Sequence, residues 1–276
     1  MGNCKYCGQK AGFLKDVHVE CKSKYESGWK RMIDFSMKLA KGEQDTASAY
    51  EELKNIANAS YISQEKIREA LVECWEKTLD QFLEDGVLSN DEENAIMKYA
   101  HDLNLKQEDL NKHGAYMRAG QAATLREIME GRIVSRITVD GRLPFNLEKD
   151  ETLVWYHEPC GYMQERVRRA FVGGTQGFSV RVAKGVYYRA GAFKGHPVET
   201  SSMEIIDGGR LGITDKHIYF AGLKKSFKVP YKKIVSFHPY DNGFGFYRNV
   251  KDAKQEVLVT NNGWFFINLV ENLARL

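Results

Sequence analysis

The 276-residue sequence contains no long apolar run. No stretch approaches the ~18 consecutive apolar residues of a membrane-spanning helix, so a transmembrane segment is not expected. Its first residues carry no apolar signal region, and the expected location is the cytoplasm, including peripheral placement at the inner membrane. Charge of one sign is not in large excess either: 40 Lys and Arg face 37 Asp and Glu, a formal net charge of +3.

The patterns that announce catalysis are missing as well. "VGGTQG" at 172–177 is glycine-rich but lacks the G-K-[ST] ending of a phosphate loop, and reads as a hairpin connection. His196, His217 and His238 stand singly, with no Ser/His/Asp arrangement and no paired carboxylates around them. His157 and Cys160 share an H-x2-C spacing, but two further ligands for a metal are not in view and Pro159 between them favours a turn. The chain is therefore read as non-enzymatic.

Cysteine is scarce, five in all, and that scarcity makes its placement informative. Three of the five fall within 18 residues, in "NCKYCGQKAGFLKDVHVECKSKY". Cys4, Cys7, His18 and Cys21 follow a C-x2-C-x10-H-x2-C spacing. A C-x2-C turn puts two thiolates on one side of a tight knuckle, and Gly8 just after it permits the left-handed backbone that a knuckle uses. His18 and Cys21 are three apart, which in a first helical turn places both on one face. Three thiolates and one imidazole complete a tetrahedral zinc set with no vacant position, so the expected role of one zinc ion is structural. A unit of ~40 residues buries too little surface to fold alone, and the metal supplies the missing stability. The arrangement resembles a treble-clef zinc finger over residues 1–42, with a hairpin through "GQKAGFLKDV" and a helix carrying Tyr25, Trp29, Met32 or Ile33, and Ser36 or Met37 as an apolar stripe. The finger's charges are mixed and only mildly basic.

Residues 43–132 read as helices. Ile67, Ala70, Leu71, Cys74, Trp75, Thr78, Leu79 and Phe82 form one amphipathic stripe, which makes Cys74 a core residue. Ser89 and Glu92 form a capping box that starts the next helix, with Ile96, Ala100 and Leu103 turned inward. The "DG" at 85–86 falls where a calcium loop would have its fifth and sixth positions. Gln81 and Leu83 would then stand first and third, where carboxylates are needed, so the segment reads as a turn. "EDGVLSNDEENAI" and its helical surroundings resemble TerB-like domains, a family associated with bacterial stress and envelope functions. None of that family's acidic metal ligands is carried over.

From "RIVSRITVDGRLPFNLEKDETLVWYHE" onward, alternation of period two replaces the helical period. Residues 133–149 read as a linker or first-strand region, and 150–276 as antiparallel strands closed by an amphipathic helix bearing Phe265, Phe266, Leu269, Val270 and Leu273. "GRLGITDKHIYFAG…KSFKVPYKKIVSFHPYDNGFGFYR" resembles bacterial PH-like and GRAM-type domains. That resemblance implies a β-barrel capped by a helix and a module for acidic lipid headgroups or proteins. The expected fold is thus α+β and multidomain: zinc finger, all-α middle and antiparallel PH-like barrel.

Charge is divided between the halves. Residues 1–150 hold 22 Lys and Arg against 26 Asp and Glu, whereas 151–276 hold 18 against 11. Two clusters in the basic half, Arg166, Arg168 and Arg169, and Lys224, Lys225 and Lys228, are candidate ligand-binding residues. The expected function is that of a binding, sensor or adaptor protein, with a link to bacterial stress response, facing a protein partner or an anionic membrane surface. The alternative is a nucleic-acid-associated protein using the finger and the basic β half. Oligomeric state is not legible.

Overall fold

A computed structural model of the chain describes residues 2–13, 15–84, 86–172, 181–183, 186–187 and 196–276, side chains excepted between 166 and 201. The chain divides into two compact units, 1–132 and 133–276. The boundary follows composition: all five prolines lie beyond residue 143, so nothing in the first unit breaks its helices in this way.

The first unit holds α1 (Val19–Ala40), α2 (Ala49–Ala59), α3 (Gln64–Phe82), α4 (Asn90–Asp102), the one-turn α5 (Gln107–Leu110) and α6 (Ala115–Met129). Ser63 caps α3 by accepting the Lys66 amide. The expected capping box opens α4, with Ser89 and Glu92 each satisfying the other's backbone amide. The α3 stripe turns inward as its period requires, and Ile67, Leu71, Trp75 and Leu79 join Met32 and Leu39 of α1 in one core. The metal-bearing segment and the helices are therefore not separate globules, because α1 spans both. Trp75 donates its indole N–H to the Ile96 carbonyl at 2.9 Å, and Tyr99 its hydroxyl to the Leu71 carbonyl at 3.2 Å, so these buried aromatics leave no polar atom stranded. Cys74 is fully buried on this stripe, and burial pushes its thiol up to about 12, a core cysteine and not a nucleophile.

In the second unit residues 133–149 form no strand. The first strand begins at Leu153. Two long strands, β1 (Leu153–Val172) and β4 (His196–Thr214), run antiparallel and bracket the short pair β2 (Arg181–Ala183) and β3 (Val186–Tyr187). The chain continues through β5 (His217–Gly222), β6 (Ser226–Pro230), β7 (Ile234–Tyr240), β8 (Gly243–Arg248), β9 (Glu256–Val259) and the helix α7 (Gly263–Leu273).

The seven-stranded sheet has the order β6-β5-β4-β1-β9-β8-β7, and it is not closed into the expected barrel. Closure would require β6 to pair with β7. Instead β6 ends at Pro230, which has no N–H to donate, and the chain crosses through Tyr231–Lys233 to begin β7 at the opposite edge. β1 is the shared strand, pairing with β4 along its length and with β9 at Gly161–Gln164. The apolar face of α7 covers the sheet: Phe265 meets Trp155 edge-on at 4.8 Å between centroids, and Phe266 stacks on Phe244 at 6.2 Å. All five residues expected on the inner face of this helix are buried.

One polar node is set into this unit just before β1. The Glu151 carboxylate accepts from Thr214 Oγ1 at 2.5 Å, Tyr219 Oη at 2.7 Å, the Glu148 amide at 2.8 Å and His217 Nδ1 at 2.8 Å. Burial disfavours its charge, but these donors prevail and hold its pKa down to about 2. A carboxyl depressed in the fold stabilises it above the group's ordinary pKa, and that contribution is lost as pH falls towards 2. Glu151→Gln should cost about 2–3 kcal/mol at neutral pH, since two of the four donors then meet an amide N–H₂. Denaturant unfolding across acid pH should show the substituted protein losing less stability than wild type between pH ~4.5 and ~2. Equal slopes would show that this node does not couple to folding.

Candidate functional site

The N-terminal segment is organised by backbone turns before any ligand is considered. Gly8 adopts φ +74°, the left-handed conformation expected after the knuckle, and its amide donates to the Cys4 carbonyl at 2.8 Å. The Cys4 amide reaches Gln9 O at 2.7 Å, and Asn3 bridges Lys10, which closes a small hairpin. His18 is the residue preceding α1, with an extended backbone (φ −83°, ψ 140°), and its side chain makes no capping hydrogen bond. Its imidazole is turned to the sulfurs instead.

Cys4, Cys7, His18 and Cys21 bring one donor atom each to within 4.8 Å of one another. His18 Nδ1 lies 3.4 Å from Cys7 Sγ and 3.7 Å from Cys21 Sγ. A tetrahedral ion with bonds of about 2.0–2.3 Å sets neighbouring donors roughly 3.6–3.8 Å apart, so these spacings fit one ion at the centre. The other imidazole nitrogen fixes the tautomer: Nε2 sits 3.0 Å from the Lys10 carbonyl, which can only accept. Nε2 therefore carries the proton, and Nδ1 turns its lone pair to the sulfurs, as a metal ligand must. Cys4 accepts the His18 amide at 3.4 Å. Burial works against the Cys4 thiolate, yet the amides of Cys7, His18 and Tyr6 bring its pKa down to about 6. Burial and the Cys7 sulfur push Cys21 the other way, the crowding of soft donors that a cation relieves. The group can hold one metal ion.

Aromatic contacts join this cluster to the helices. Tyr6 of the knuckle stacks on Tyr25 of α1 at 4.9 Å, Tyr25 on Trp29 at 6.4 Å, and Tyr61 in the turn between α2 and α3 stands 6.3 Å from Tyr6. Tyr61 Oη also lies 4.0 Å from Cys21 Sγ. Gly28 makes this approach possible, because a Cβ there would stand 1.9 Å from Ser60 Oγ. Neither the Lys10 carbonyl nor Tyr61 was legible from ligand spacing, since one acts through its backbone and the other comes from 40 residues away.

The remaining candidates separate. The side chains of Arg166, Arg168 and Arg169 lie outside the described residues, although their backbone continues β1. Lys224 and Lys225 are exposed on the turn between β5 and β6. Lys228, grouped with them in sequence, is committed elsewhere: its Nζ meets Glu148 at 2.8 Å and stands 6.0 Å from the Tyr219 ring. Asp207 of β4, absent from any sequence expectation, organises that turn by accepting the Lys224 and Lys225 amides at 2.6 and 2.8 Å.

Two further groups of potential ligands resolve as structure. Glu148, Glu151 and His217 also cluster, but the Glu151 oxygens are already filled by the four donors above and Glu148 by Lys228. His157 rests edge-on against Phe266 at 5.2 Å, and burial pushes the Cys160 thiol up to about 12. In the loop around 81–92 Leu88 is fully buried and the Glu92 carboxylate is held by Ser89 at 2.7 and 2.9 Å, while Asp85 lies outside the described residues. No helix among the described residues is long and apolar enough to cross a membrane.

The chain matches no family model and no curated protein.

Two outcomes follow from this geometry. Purified protein should carry about one metal equivalent per chain, and Cys7→Ser should reduce it sharply, because a three-donor set holds the ion far less tightly. An ordered N-terminal segment in metal-free protein, read by amide hydrogen exchange over residues 2–21, would contradict the site. Titration with calcium should give no binding heat at roughly millimolar concentrations, and tighter binding would overturn the reading of the 81–92 loop.

Proposed function

We propose that the chain is a non-enzymatic binding protein whose N-terminal finger is of the treble-clef type, holds zinc as a structural ion, and braces a TerB-like helical domain. Three thiolates and an imidazole are the donor set that zinc prefers, and a set of four leaves no position for water or substrate. The second unit is proposed to be a PH-like module that engages an acidic partner, a lipid headgroup or a protein surface, in the cytoplasm. Two three-stranded meanders meeting at β1, with α7 packed on β1 and on the β7–β9 meander, support the kinship to that fold.

The observation that carries the binding role is the turn at 222–225. Its lysines are exposed, their ammonium groups enter no ion pair among the described residues, and their backbone amides are held by a buried carboxylate. Charge presented on a fixed backbone can meet an anion without first being ordered, which lowers the entropic cost of association. The nucleic-acid alternative is less well supported. Its best platform would be the Tyr6–Tyr25–Trp29 stack, and those rings pack on one another and on the cores of the first unit.

Calorimetric titration of the full chain with a short polyglutamate peptide and with inositol hexakisphosphate tests this reading. Binding should weaken as salt rises and should be lost in Lys224→Glu/Lys225→Glu. Binding unaffected by the double substitution, or seen only with a single-stranded oligonucleotide, would overturn it.

A further inference from the structure

Leu223 stands at the tip of the same turn and is 97% exposed. An apolar side chain so exposed is costly only if it stays in water, and nothing in its setting shields it. Its backbone is not free to fold it away. Gly222 donates its amide to the Lys225 carbonyl at 2.8 Å, while Asp207, 7% exposed, accepts the Lys224 and Lys225 amides with one oxygen and the Gly208 amide with the other at 2.9 Å. Residue 222 must be glycine for this clamp to close, because a Cβ there would lie 2.3 Å from Asp207 Oδ2. The β5–β6 register is regular from His217↔Pro230 to Ala221↔Ser226, so a firm two-stranded stem supports the turn.

The result is a clamped tip with one leucine at its apex and two exposed lysines directly after it. A protein partner would need a pocket to receive such a tip, and neighbouring apolar surface to seal around it. A bilayer requires neither. Its headgroup layer accepts a protruding apolar side chain into the acyl boundary, while lysine stems keep their ammonium groups at the level of the phosphates. Anionic lipid adds attraction for each basic residue at the surface. The excess of basic over acidic residues in 151–276, 18 against 11, favours the same approach.

We propose that the β5–β6 turn docks on anionic bilayers, with Leu223 inserted at the interface and Lys224 and Lys225 on lipid phosphates. This deepens, and rests on, the reading of the second unit as a module for acidic partners. It adds a residue that charge alone does not indicate, and it selects a lipid surface over a soluble acidic ligand.

The test is co-sedimentation of the full chain with vesicles of mixed phosphatidylserine and phosphatidylcholine, and with vesicles of phosphatidylcholine alone. Wild type should bind the mixed vesicles and not the neutral ones. Leu223→Ser should weaken that binding about tenfold, equivalent to about 1.4 kcal/mol, while leaving polyglutamate binding unchanged. Lys224→Gln/Lys225→Gln should weaken both. In Leu223→Trp, emission should shift to the blue on adding mixed vesicles, relative to the wild-type response. Leu223 touches nothing that folding needs, so these variants should melt as wild type does. Vesicle binding indifferent to Leu223→Ser, or equal on neutral vesicles, would overturn the inference. Failure to bind vesicles with polyglutamate binding intact would overturn the bilayer assignment alone, whereas loss of both probes in wild type would remove the acidic-partner reading as well.

Discussion

Three cysteine sulfurs and an imidazole nitrogen gathered within 4.8 Å form an arrangement that a protein does not hold for its own sake. Thiolates repel at that range, and thiols lack the hydrogen-bonding strength to keep one another there. A cation among them would turn the repulsion into the main cohesive interaction of the first twenty residues. Among the described residues of the segment, the apolar cluster has Cys4, Ala11 and Cys21 as buried members, with Tyr6, Cys7 and Val17 beside them. Metal binding there would accordingly be folding free energy. Because Cys21 sits in the first turn of α1, and α1 runs on into the helical core through Met32 and Leu39, order at the metal is passed to the bundle along one continuous helix. The Tyr6–Tyr25–Trp29 stack makes the same connection laterally.

The second unit is held by a different physics. Its core is aromatic, with Phe220, Phe244, Phe246, Phe265 and Phe266 all fully buried, and its charged groups are placed where the chain must be fixed. Glu151 ties the start of β1 to β4 and β5 through Thr214, His217 and Tyr219. Asp207 does the same for the far end of β5. A further buried carboxylate, Glu256, takes Tyr162 Oη at 2.8 Å and two bonds from Arg248. Each is a carboxylate surrounded by donors; for Glu151 and Asp207 burial opposes the charge, but the donors hold the carboxyl below its usual range, a contribution to stability that is lost as pH falls. The same device that fixes the sheet also fixes the turn proposed to meet a membrane.

How much of this could be seen in the sequence depends on how far apart the partners are. The four donor residues span 18 residues and obey local turn and helix geometry, so spacing alone picked out the group that the fold brings together. The Ser89–Glu92 capping box and the stripe of α3 were legible for the same reason, as was the inward face of α7. Barrel closure was not, because it depends on whether β6 and β7 meet, and no local signal reports the pairing of two edge strands. Lys228 looked equivalent to Lys224 and Lys225 until Glu148, 80 residues earlier, claimed its charge. Asp207 and Leu223 carried no pattern at all. One acts through backbone amides 17 and 18 residues on, and the other is distinguished only by having nothing over it.

The central claim is a closed site with three sulfurs and one nitrogen on a single ion. X-ray absorption at the metal edge of the purified protein measures that shell directly. The account predicts zinc with about three sulfur neighbours near 2.3 Å and one nitrogen at roughly 2.0–2.1 Å, with no oxygen. A first shell that contains water oxygen, or that lacks the imidazole, would contradict it.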